Sequence, residues 1–139
     1  MPPSSGGAFE AVAASLRAAE LRRDLTVDEI SAPAGVAPQA IAFAGDVHPP
    51  GHGIDSQLGT GRFILLHAPA SPAGWDVEFR LVVHAQAPLE RDIGSDPLLP
   101  EVAWSWLQSA LDDLGAPRHA MSGTATTVLS TGFGSLAEQ

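Results

Sequence analysis

Between Ala8 and Arg23 the apolar positions fall at helical intervals. Phe9, Val12, Ala13, Leu16 and Ala19 form one narrow stripe, with Glu10, Arg17 and Arg22 turned away from it. The pattern predicts a helix over 8–23, with Arg22 and Arg23 in a last turn where cations suit the helix dipole. The period then changes. Leu25 to Ile30 is a β-rich run stopped by Ser31-Ala32-Pro33, and Gln39 to Val47 puts Ile41, Phe43 and Val47 on one side of a second strand. Gly61 to His67 is almost continuously apolar, as suits a strand covered on both faces. Trp75 to Ala87 alternates instead: Val77, Phe79, Leu81, Val83 and Ala85 point one way, Glu78, Arg80, His84 and Gln86 the other.

A second helix follows. The residue before a proline avoids the α region, so Leu99 is expected to be extended and Pro100 to open the helix. Leu114-Gly115-Ala116-Pro117 ends it with a C′ glycine and a trailing proline. The Thr- and Val-rich stretch from about His119 to Thr131 predicts a last strand, closed by Gly132 and Gly134. The order is thus α-β-β-β-β-α-β. Strands that succeed one another without helices form an antiparallel meander, so the expected class is α+β, with about five antiparallel strands and two helices on one face. A length of 139 residues suits a single core, expected over 8–134, with a disordered tail at 1–7 and a short tail at 135–139.

Composition narrows the function classes. Sixteen acidic residues against seven basic ones, all Arg, give a net charge of −9, which argues against a nucleic-acid surface. Cysteine is absent, so disulfides, thiolate zinc sites and cysteine nucleophiles are excluded. No apolar run approaches the roughly 18 residues of a membrane span. The first seven residues lack the basic and apolar regions of a secretory signal, which makes the cytoplasm the expected location.

Candidate chemistry is sparse. Asp46, His48, His52 and Asp55 form a metal-like group, but no rigid element spaces the two histidines, and the Pro/Gly loop reads as a solvated turn without metal. Gly59-Thr60-Gly61 precedes a strand rather than a helix, so it cannot cradle phosphate at a helix N-terminus. No nucleophile elbow is present, and neither a catalytic residue nor a cofactor is expected. Arg62, Arg80 and His84 make a small cationic patch if they share a face; cross-strand pairing such as Arg62 with Glu78 is the plainer reading. His67 shares its side of the strand with Phe63 and Leu65, which favours a buried, hydrogen-bonded imidazole. Along the second helix Val102, Ala103, Trp104, Trp106, Leu107, Ala110, Leu111 and Leu114 span an arc of about 200°, roughly twice what a surface helix needs. Trp104 and Trp106 stand at opposite margins of that arc. One of them, Trp104, is assigned to the core and the other to an interface.

Five segments resemble one family when taken together: ASLRAAELR (14–22), EISAP (29–33), GRFILLH (61–67), DPLLPEVAWSWL (96–107) and TTVLSTGFG (126–134). They are similar to an actinobacterial domain-of-unknown-function family, the one numbered three thousand. That resemblance implies a small, stand-alone cytoplasmic protein and brings no activity or catalytic residue with it. The missing catalytic constellation, the wide apolar face of the second helix and the two-faced fourth strand make the expected function non-enzymatic: a homodimer that binds a protein partner as an adaptor or chaperone-like module. A different class, a small-ligand binder or enzyme with a pocket between sheet and helices, would draw on Arg62, His67 or Arg80.

Overall fold

The computed structural model describes residues 5–48, 58–68, 79–118 and 120–137. The chain divides into two compact units, Met1–Pro88 and Leu89–Gln139.

The first unit holds helix α1 (Ser5–Arg17) and strands β1 (Leu25–Ile30), β2 (Gln39–Val47), β3 (Thr60–His67) and β4 (Phe79–Gln86). They form one antiparallel sheet in the order β1-β2-β3-β4. The class is α+β, as the alternation of apolar and polar positions predicted. Register follows the apolar sets. Ile41 of β2 lies opposite Leu65 of β3, which lies opposite Leu81 of β4, and Phe43, Phe63 and Val83 form the next row. A slip by one residue would turn each of these rows to the other face. Phe9 and Ala13 of α1 are buried against Ile41 and Leu65, with Val12, Leu16, Phe43, Phe63 and Phe79 packed around them. Spacings of four and seven residues from Phe9 bring Ala13 and Leu16 onto this face, so the stripe in the sequence is the core contact.

Helix α1 stops at Arg17, six residues short of the expected end at Arg23. Arg17 leaves the helix to grip Glu29 of β1 in a two-pronged bond, Nε–Oε1 2.7 Å and Nη2–Oε2 3.2 Å. The guanidinium holds the Glu29 carboxyl below its usual range, first by hydrogen bonding, while Glu29 raises Arg17 in return. Arg22 lies beyond the helix and bonds Asp24 (Nε–Oδ1 3.0 Å), and the Leu25 N–H donates to the Arg22 carbonyl. These contacts set the turn into β1 that residues 18–23, all compatible with helix, do not announce. The expected start of the fourth strand at 75–78 lies outside the described residues, as does the Pro/Gly loop at 49–57.

The second unit contains a short helix α2 (Arg91–Gly94), which the pattern did not predict, and α3 (Leu99–Asp113). Leu99, expected to be extended, is the first helical residue. The Asp96 carboxylate accepts from the Leu98 N–H at 2.9 Å and the Asp96 carbonyl from the Leu99 N–H at 3.1 Å, so the turn is set before Pro100 is reached. The other end matches the sequence. Gly115 takes φ +63°, its N–H donates to the Asp112 carbonyl, and the Ala116 N–H donates to Leu111, a Schellman closure. The predicted last strand does not form: residues 120–133 carry neither helix nor strand, and a 3₁₀ turn follows at Gly134–Leu136. The sheet therefore has four strands rather than about five, and the order is α-β-β-β-β-α-α.

Candidate functional site

Residues directly opposite in an antiparallel pair share a face, so the register sorts the candidate side chains. Gln39, His67 and Phe79 form a row on the α1 face, whereas the rows Ala44–Arg62–His84 and Ala40–Leu66–Arg80 belong to the other face. Arg62 and His84 are thus brought directly opposite each other, Arg80 shares their face two rows away, and His67 is separated from them by the sheet. Glu78, the cross-strand partner expected for Arg62, lies outside the described residues.

His67 is fully buried. Its Nδ1 lies 2.7 Å from Gln39 Oε1, the geometry of an N–H donated to an amide carbonyl. Its ring stacks on Phe9 (centroids 6.0 Å, planes at 18°) and tilts over Phe79 (4.3 Å, 31°). The imidazole thus ties β2, β3, β4 and α1 together at one end of the sheet.

Each face carries a concavity at the end of the sheet away from His67. On the far face a hollow of about 660 Å³ has a floor of Ala44, Ile64 and Val82, and Asp46, Thr60, Arg62, His84 and Gln86 also line it. On the α1 face a groove of about 550 Å³ is lined by apolar groups including Leu25, Val27, Val47, Phe63 and Val83. Its floor is backbone, because Gly45 faces Gly61 across β2 and β3. A Cβ on Gly61 would stand 3.2 Å from the His84 carbonyl oxygen, and one on Gly45 3.3 Å from Val27 Cγ2. Gly61, the expected first residue of this strand, thus also opens the floor of the groove. Only the register, which joins Gly61 to a glycine sixteen positions earlier, brings out that role.

Trp104 and Trp106 both belong to α3. Trp104 is half-buried, and a Cβ at Gly123 would meet its ring at 2.6 Å, so the indole lies flush against that glycine. Trp106 is 67% exposed, and no residue of α3 is buried.

Residues 5–139 match the family described as "Protein of unknown function (DUF3000)". The chain belongs to the DUF3000 family. The match spans both units of this DUF3000 chain, from α1 through the C-terminal 3₁₀ turn. No curated protein matches it, and no solved structure matches it. No helix among the described residues is long and apolar enough to cross a membrane.

Proposed function

We propose that this DUF3000 chain is a non-enzymatic protein-interaction module that works as a homodimer, pairing through β4. The observation that carries this reading is the state of that strand. β4 ends the sheet, and its Leu81, Val82 and Val83 are 52%, 44% and 62% exposed, on both faces at once. An edge strand presents unpaired N–H and C=O groups, and natural edges are blunted by charge, proline or bulges. β1, the opposite edge, is protected in that way by adjacent Asp28 and Glu29. β4 has no acidic residue and no proline over Phe79–Gln86, and its one formally charged side chain, Arg80, stands near one end of the strand.

A two-fold pairing of β4 with a second β4 is self-complementary. Centred on Val83, it sets Leu81 against Ala85 and Arg80 against Gln86, whereas a Val82 centre would oppose Arg80 to His84. The first register avoids a like-charge pair, so it is the one proposed. The exposed apolar margin of α3 around Trp106 supports a second contact, with a protein partner.

Sedimentation velocity tests the pairing. The wild-type chain is expected to sediment as a dimer at tens of micromolar, and Val83→Lys as a monomer with an unchanged circular dichroism spectrum. A monomeric wild type at about 100 µM, weaker than the affinity of any stable homodimer, would remove the reading.

The alternative class, small-ligand binding, is favoured by one observation, the polar hollow on the far face.

A further inference from the structure

Arg62 and His84 face each other directly across β3 and β4. Arg62 has only donors, and an imidazole offers at least one N–H in either charge state. Arg62 thus faces no carboxylate on β4, where an opposite-charge pair would place one. Three arginines of this acidic chain pair with carboxylates, Arg17 with Glu29, Arg22 with Asp24 and Arg118 with Asp112, while Arg23 and Arg91, like Arg62, form no ion pair among the described residues. Neither Arg62 nor His84 makes a hydrogen bond or ion pair among the described residues. Asp46 lies on the same face, opposite Thr60 and one row from Arg62, and is not bonded to it either. A cationic pair without a carboxylate among the described residues marks a place where an external acceptor can complete the set.

Around the two donors lies an open hollow in the sheet surface. Its volume of about 660 Å³ falls within the range of ligand pockets, roughly 300–1,000 Å³. The apolar floor of Ala44, Ile64 and Val82 suits a short hydrocarbon body, and the next row, Asp46–Thr60–Gln86, sets two neutral polar groups and one carboxylate beside the donors, so the ligand's own carboxylate is confined to the Arg62–His84 row. We propose that this face binds a small organic carboxylate, its oxygens held between the Arg62 guanidinium and the His84 imidazole and its carbon chain laid on Ile64 and Val82. Two donors suit the two oxygens of a carboxylate, and a guanidinium holds such a group in a planar fork. The site shares Val82 and His84 with the proposed pairing strand, but its Arg62 lies on the inner strand β3, and Val83 belongs to the other face.

The test is a titration of the isotope-labelled full chain with butyrate, followed by amide chemical shifts, with sodium chloride at equal ionic strength as control. Saturable shifts confined to residues 44–46, 60–64 and 82–86 are expected with butyrate. Arg62→Gln and His84→Gln should each weaken binding about tenfold, the loss of one charge-assisted hydrogen bond. Both side chains are exposed, so both variants should keep the wild-type circular dichroism spectrum. Equal shifts with chloride, or an affinity indifferent to Arg62→Gln, would overturn the proposal. Loss of dimerisation in Val83→Lys with butyrate binding intact would separate this site from the pairing edge.

Discussion

Glu29 shows how a single exposed group links the end of a helix to a strand. Hydrogen bonds from Arg17 keep its carboxyl ionised below the ordinary value of 4.5. A carboxylate depressed in the folded state contributes stability above its unfolded pKa, and the contribution is lost as pH falls through the folded value. Above pH 5 the term is fully present; it fades below about pH 4.5. Thermal melts at successive pH values should therefore show Glu29→Gln losing less stability than wild type on acidification below pH 4.5. Parallel acid limbs would mean that the pair in solution is not the one drawn here. The pair is solvent-exposed, so the expected effect is small. Individual residues were unevenly legible. The burial of His67 could be read from its neighbours Phe63 and Leu65 on one side of a strand. Its bond to Gln39 could not, because a partner 28 positions away becomes visible only when β2 and β3 are in register.

Whole strands were legible where a β-rich or apolar run was bounded by turn residues. β1, β2 and β3 begin and end within a residue of their predicted limits, because such runs mark strands whether one face or both are covered. The failures have a common cause: local propensity without tertiary support. Residues 18–23 favour helix, yet the Arg17–Glu29 and Arg22–Asp24 bonds turn the chain away. Residues 119–131 favour a strand, yet residues 120–131 have no neighbour to pair with among the described residues, and β propensity expresses packing more than backbone preference. What the latter segment does offer is Gly123, whose missing side chain makes room for the Trp104 ring. Removing the half-buried indole is expected to cost less than the roughly 3–5 kcal/mol of a fully buried Trp, but still enough to lower the melting temperature by several degrees. Gly123→Ala should act in the same direction by displacing the ring. Trp106→Ala, at a 67% exposed position, should leave the melt unchanged and weaken partner binding instead. Calorimetry on the three variants checks the ranking; a Trp106→Ala variant as destabilised as Trp104→Ala would place both indoles in packed surroundings.

At the scale of the whole molecule, charge sets the sign of every association. The chain carries −9, and a dimer twice that, so two copies approach against a repulsion that neither protomer's seven arginines can offset. The proposed pairing through β4 would rely on backbone hydrogen bonds and on the apolar Leu81, Val82 and Val83, which salt does not screen. Raising ionic strength from about 0.01 M to about 0.1 M shortens the screening length from roughly 30 Å to roughly 10 Å, which removes most of the repulsion between exposed charges. Self-association should therefore tighten over that interval. Carboxylate binding at Arg62 and His84 should weaken over the same interval, because there the attraction is what salt screens. Sedimentation equilibrium and the butyrate titration, each run at both salt concentrations, read the two slopes separately. A dimer that loosens with added salt would point to an interface held by ion pairs. β4 could not be that interface, since its only charged side chain over Phe79–Gln86 besides His84 is Arg80, with no acidic partner along the strand.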